Sequence, residues 1–193
     1  MSATPLDATT RARPNAWWGM ALFVTAEATL FGTLVGSYFY LRFNTTPWPP
    51  AEAPEPRVVA PVLLTAALVL AGGAVHASWR AARAGKRALA LPLLALAACV
   101  QVTYLIVQIA ILRSDIDAYG PGRSAYASIL YTLSGASHGH VGLGVLLDVW
   151  LLGRLALGIT PYRLVGLQAT TLYWHVVNAL TVVVLLTEVS PRL

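Results

Sequence analysis

The sequence predicts an all-α, polytopic membrane protein with a bundle of five transmembrane helices. Of its 193 residues, 57% are hydrophobic and only 11% are charged, whereas about 25% of the residues in an ordinary soluble domain are charged. The chain also contains five long apolar runs, and about 20 helical residues suffice to cross a bilayer core about 30 Å thick. These observations nearly exclude a soluble enzyme or a soluble binding domain.

Each predicted span lies between charged residues that mark its ends. The five spans cover residues 17–41, 58–79, 88–112, 125–153 and 164–187. The segment between the first two spans should be an extended loop rather than a helix, because proline cannot continue a helix. This segment contains Pro47, Pro49, Pro50, Pro54 and Pro56. Only tails and short loops remain, so we expect residues 1–193 to form a single transmembrane domain.

The basic residues predict the orientation of the chain. With the N-terminus in the cytoplasm, the inner segments hold eight basic residues and one acidic residue, whereas the outer segments hold five of each. Basic loops tend to stay on the cytoplasmic side, so we expect the N-terminus inside and the C-terminus outside. The inner charges are Arg11, Arg13, Arg80, Arg83, Lys86, Arg87, Arg154 and Arg163, with Asp7.

Ionisable residues inside the spans are the main candidates for function, because they are costly in a bilayer and usually face a partner or a cavity. Glu27, His140 and His175 each lie near the middle of a predicted span. We expect them to form a buried polar cluster, which either ties three helices together or holds and relays a proton. Asn178 lies one turn beyond His175 and should complete its hydrogen bonding.

Other polar and small residues predict contacts between helices. Asp148 should form an ion pair with Arg154 or with an arginine of the 80–87 loop, and the two glutamines of the third span should bond across helices. Pairs of glycines four residues apart would let helix backbones approach closely; they are Gly32 with Gly36 and Gly135 with Gly139.

Four histidines in a membrane bundle raise an alternative function, that of a small cytochrome b-like haem carrier. His76 lies too near the inner end of its span to meet His175, and His138 points away from His140. The remaining ligand pair is His140 with His175. The single cysteine, Cys99, permits neither an internal disulfide nor a cluster of thiolate ligands, and we expect no metal site in this chain.

Three segments together resemble subunit III of the haem–copper oxidases. Residues 18–31, WGMALFVTAEATLF, are similar to the family's Gly-Met-x-Leu-Phe-x-x-Ser-Glu-x-x-Phe-Phe segment. Residues 134–141, SGASHGHV, resemble its Thr-Gly-x-His-Gly-x-His-Val helix, and residues 173–178, YWHVVN, resemble Tyr-Trp-His-Phe-Val-Asp. This chain departs from the family patterns at Ala26, Ser137, His138 and Asn178.

The resemblance implies the five-helix form of that subunit, which lacks two N-terminal helices of the longer form. It also implies a non-catalytic subunit in the cytoplasmic membrane that packs beside the catalytic subunit I and other oxidase subunits, binds phospholipid and supports proton uptake in aerobic respiration. Haem and copper would lie in the partner subunits. Arg154 would meet a lipid phosphate, since a guanidinium can bind phosphate through two hydrogen bonds.

A related alternative is the accessory protein of nitric oxide reductase, which shares the fold and the motifs. The residues favour neither cytochrome c nor quinol as the electron donor, because the donor site lies on other subunits.

Overall fold

The computed structural model describes residues 14–192 and consists of five long helices. They are α1 (Asn15–Asn44), α2 (Val59–Arg83), α3 (Arg87–Ala118), α4 (Ala125–Ala156) and α5 (Pro161–Val189). No strand occurs between residues 14 and 192, and all five helices are long and apolar enough to cross a membrane. The prediction of an all-α protein with five membrane helices is therefore confirmed.

Local sequence explains where the helices begin and end. Ser124 accepts a hydrogen bond from the Ala127 amide at 3.2 Å, and Thr160 accepts one from the Arg163 amide at 3.3 Å. These hydroxyls satisfy free N–H groups in the first turns of α4 and α5. The turn after α2 uses Gly85 with φ +74°, a conformation that glycine adopts without steric cost.

The helices form a four-helix bundle with one additional helix on its side. α2 packs against α3 and α5, α4 packs against the same two helices, and α1 lies against α4 and α5. α1 is the least covered helix, because only Val24, Phe31 and Tyr38 along it are buried. These residues repeat every seven positions and therefore lie on one helix face.

The alternating helix directions give the bundle two distinct ends. We call the end with residues 45–58 the proline end. We call the opposite end, where Arg83 ends α2 and Arg87 begins α3, the arginine end. At the proline end, the Trp48 indole donates to the Tyr38 hydroxyl at 3.3 Å and packs on the Tyr126 ring. At the arginine end, Arg87 donates to the Leu155 carbonyl at 3.1 Å and so satisfies the C-terminus of α4.

The close helix contacts use glycines other than those predicted. A Cβ atom added at Gly32, Gly36, Gly135 or Gly139 would meet nothing within 4 Å. A Cβ added at Gly144 would instead lie 2.5 Å from the Trp174 ring, and one at Gly72 would overlap the Asn178 amide. The predicted glycine pairs therefore do not mediate contacts within the described part of the chain. Spacing alone did not reveal which helix face is covered.

Candidate functional site

Glu27 and His140 form a direct contact between α1 and α4. Glu27 Oε2 lies 2.7 Å from His140 Nε2. The two side chains are only 20% and 17% exposed, respectively, and the edge of the Phe31 ring packs near the imidazole. The acid and the imidazole therefore share a largely covered site within the membrane span.

The second nitrogen of His140 determines how many protons this contact holds. His140 Nδ1 lies 2.7 Å from the Ala136 carbonyl oxygen, one helical turn earlier. Because a carbonyl can only accept, we infer that Nδ1 carries a proton. If the imidazole is neutral, its Nε2 is an acceptor and Glu27 must supply the proton between them. If the proton moves to Nε2, the result is a carboxylate beside an imidazolium.

Glu27 Oε2 and His140 Nε2 therefore share one proton, and the net charge of the pair is zero in either arrangement. An ion in a poorly hydrated site costs several kcal/mol, which an ion pair offsets only with excellent geometry. We expect the neutral pair to be the main form. The proton can shift between the two atoms without leaving a net charge in the membrane.

Tyr173 fixes the position of α5 beside this pair. Its hydroxyl donates to the His140 carbonyl at 2.6 Å, and its ring stacks with Phe23 of α1. Tyr173 was not predicted as a site residue, although it lies in the segment 173–178. The contact between Ala136 and His140 could have been found from their spacing of four residues.

His175 lies in a different place from the one predicted. Its Nε2 atom is 3.1 Å from Nδ1 of His76, so it pairs with the histidine that residue counting had excluded. That exclusion was wrong, because counting from the edges of two apolar runs assumes that the helices are parallel and start at one level. Packed helices cross at an angle.

The histidine geometry disagrees with a pair of axial haem ligands. Both ring nitrogens of His140 have partners in Glu27 and Ala136. The nitrogens of His76 and His175 are 3.1 Å apart, whereas two opposite nitrogens on one metal ion, at about 2.0–2.1 Å each, would be about 4 Å apart. Neither histidine contact offers the spacing that such a pair requires.

Asn178 and Asp148 also lack the partners predicted for them. The Asn178 side chain packs on Gly72 rather than bonding to His175, and its Oδ1 has no hydrogen-bond partner among residues 14–192. Asp148 is fully buried, and neither of its carboxyl oxygens has a hydrogen-bond partner among residues 14–192. The prediction of an ion pair with an arginine was wrong. Of the four residues expected in one cluster, only Glu27 and His140 contact each other.

Comparison with known proteins identifies the family. The family model described as cytochrome c oxidase subunit III matches residues 7–189. The chain belongs to the cytochrome c oxidase subunit III family. The resemblance inferred from the three segments is thereby confirmed.

Individual relatives agree with this family assignment. The chain is 28% identical to cytochrome c oxidase subunit 3 of Gallus gallus over 168 residues, covering 83% of this chain and 64% of the relative. It is 27% identical to the subunit of Synechocystis sp. over 168 residues, covering 86% of this chain and 71% of that one. The chain thus spans slightly less than two-thirds of the length of the Gallus gallus relative.

The segments that resemble the subunit III family supply both halves of the acid–imidazole pair. Glu27 lies in the segment 18–31, and His140 lies in the segment 134–141. The fold brings these segments into contact through α1 and α4. Within residues 14–192, no group of three or more histidine, cysteine, aspartate or glutamate side chains is placed to hold a metal ion.

Arg154 lies in the last turn of α4 at the arginine end. Its guanidinium carbon is 5.7 Å from the centroid of the Trp150 ring, a cation–π distance. Its Nε atom is buried and has no hydrogen-bond partner in the described part of the chain. This Nε–H group is therefore unused and enclosed by the protein.

Proposed function

We propose that this chain is the non-catalytic subunit III of a haem–copper terminal oxidase in a bacterial-type cytoplasmic membrane. It would associate with subunit I and support oxygen reduction and proton uptake there, with haem and copper held by partner subunits. The contact between Glu27 and His140 carries this proposal, because it places one transferable proton inside a membrane bundle of the subunit III family.

The chemistry of the pair suits a supporting role in proton uptake. Moving the proton from Glu27 to His140 leaves the net charge of the pair unchanged, and a neutral pair avoids most of the cost of burying an ion. A proton acceptor nearby in the complex could withdraw this proton, and the pair could be reloaded between turnovers. The pair would thus buffer protons near the catalytic subunit without carrying out electron transfer.

This proposal is tested by comparing three purified oxidase complexes: the wild type, one with Glu27→Gln and one lacking this chain. We expect the complex without the chain to take up protons more slowly and to inactivate after fewer turnovers. Glu27→Gln should show a smaller change in the same direction with normal assembly. Thr25→Val is the matched control, because Thr25 is exposed on α1 and its hydroxyl bonds only to the Ala21 carbonyl. Equal turnover stability of all complexes would contradict the proposal.

The orientation in the membrane is a separate prediction. The charge distribution predicts the arginine end inside and the proline end outside; its N-terminal contributors Asp7, Arg11 and Arg13 lie outside the described residues. Single cysteines at Thr46 and Ala84, in a chain with Cys99 replaced, should report opposite sides. An impermeant thiol reagent applied to intact cells should label position 46 only. Labelling of position 84 from outside would show that the chain has the opposite orientation.

We also propose that Arg154 binds a lipid phosphate at the arginine end. Arg154→Gln should reduce the phospholipid retained by the purified complex, because it removes a cation from the last turn of α4 at the arginine end. Arg163→Gln is the control, since the Arg163 guanidinium already donates to the Gly158 carbonyl at 2.7 Å. Native mass spectrometry measures the retained lipid. Equal retention of phospholipid by the two variants would show that Arg154 contributes only to the orientation of the chain in the membrane.

A further inference from the structure

A cavity with both polar and apolar lining lies inside the four-helix bundle at the proline end, and its lining includes neither Glu27 nor His140. Its volume is about 70 Å³. α3 contributes Gln108, α4 contributes Ser134 and His138, and α5 contributes Glu188. A narrower inner lobe of about 10 Å³ shares these four residues and continues toward Tyr104 and Thr181. A region rich in hydrogen-bonding side chains thus extends from the surface into the apolar bundle.

His138 lines this cavity and carries a polar atom that lacks a partner in the described part of the chain. Only 8% of its surface is exposed, and its Nδ1 atom is buried without a hydrogen-bond partner among residues 14–192. A buried polar atom without a partner costs about 1–3 kcal/mol. A cavity water satisfies such an atom when the site provides more than about 10–15 Å³ and two to four polar partners. The cavity meets both requirements.

The mouth of the cavity connects it to the surface. Arg57 and Asp115 lie there with a nitrogen–oxygen distance of 3.2 Å, and their side chains are 50% and 32% exposed. The Arg57 guanidinium also donates to the Ser114 hydroxyl at 3.1 Å. Exposed ion pairs of this kind contribute at most about 1 kcal/mol, so the pair is a weak barrier to water.

We propose that this cavity binds a chain of water molecules through which Glu188 and His138 exchange protons with the surface at the proline end. Water is the ligand class that fits best, because the lining offers hydroxyl, amide, imidazole and carboxyl groups within a small volume. The carboxyl and the imidazole are the groups that can hold the proton. This second proton-accessible site is independent of the pair formed by Glu27 and His140.

Radiolytic hydroxyl labelling of the purified full chain, read by mass spectrometry, tests for the bound water. We expect His138 to be oxidised several times faster than Trp174, which is fully buried against Gly144 away from the cavity. Indole reacts with hydroxyl radicals faster than imidazole does, so intrinsic reactivity would give the opposite order. Protection of His138 equal to or greater than that of Trp174 would show that the cavity is dry and would overturn the proposal.

A cavity-filling variant sharpens this test. Ser134→Leu places an apolar side chain in the cavity and should reduce labelling of His138. Thr132→Leu, on the exposed side of the same helix, should not. If Ser134→Leu fails to fold, the comparison of His138 with Trp174 in the wild type still decides the point.

Infrared spectroscopy tests proton exchange itself. The carboxylic acid band of Glu188, assigned with Glu188→Gln at an acidic pH where it appears, should shift promptly after transfer to heavy water. The band of the fully buried Asp148, assigned with Asp148→Asn, should shift more slowly. Equally slow exchange of both bands would contradict proton access through the cavity.

Discussion

Replacing Glu27 with leucine should greatly reduce the yield of folded protein, whereas replacing it with glutamine should leave the yield nearly unchanged. Leucine leaves His140 Nε2 without a partner in a covered site, at a cost of about 1–3 kcal/mol. Glutamine keeps the shape of the side chain and can donate an amide proton to Nε2. The measurements are the yield of monodisperse protein in mild detergent and its thermal unfolding.

Chemical labelling distinguishes the neutral pair from an ion pair. A hydrophobic carbodiimide reacts with a protonated carboxyl in an apolar site, so Glu27 should be labelled near neutral pH. Asp148 is the matched control, because it is a carboxyl within a span that is fully buried, whereas Glu27 is 20% exposed. The reagent should therefore label Glu27 more than Asp148. If Glu27 remains unlabelled and Glu27→Gln is as harmful as Glu27→Leu, then Glu27 is the ionised half of a salt bridge.

Gly144→Val should strongly destabilise the bundle, because the Trp174 ring of α5 leaves no space for a side chain at this position of α4. Even a Cβ atom would lie 2.5 Å from the ring of Trp174, which is fully buried. Overpacking of a core typically costs about 1–3 kcal/mol. Thermal unfolding in detergent, followed by circular dichroism, should show a clear decrease in the midpoint temperature.

Gly139→Val is the matched control for this substitution. Gly139 lies on the same helix, is exposed, and has nothing within 4 Å of its added Cβ. The change in intrinsic helix propensity is the same at both positions, so it cancels in the comparison. Equal destabilisation by the two variants would show that the contact between Gly144 and Trp174 does not hold the helices together.

The five helices could be predicted from sequence because hydrophobic length is a local property. Glu27 and His140 could be selected because an ionisable residue at mid-span needs a partner. Which histidine meets Glu27 depends on the rotation and tilt of each helix, and residue counting contains neither quantity. His175 therefore appeared to share the level of Glu27, whereas α5 directs it toward His76.

The cavity at the proline end was not predicted, for a related reason. Glu188 follows the last predicted span and was counted with the outer charges, but α5 continues to Val189 and places this carboxyl in the cavity wall. His138 was considered as a haem ligand and as a departure from the family pattern. Its unpaired nitrogen becomes informative only when α2, α3, α4 and α5 are assembled around it.

Affinity purification from the native membrane tests most directly whether this chain serves a haem–copper oxidase. The tagged chain, extracted in mild detergent, should co-purify with an oxygen-reducing subunit, with equal amounts of the two chains. The haem spectrum should belong to that partner, and the isolated chain should be colourless. Recovery with nitric oxide reductase subunits, or a Soret band in the isolated chain that is lost on changing His140 or His175, would contradict the account.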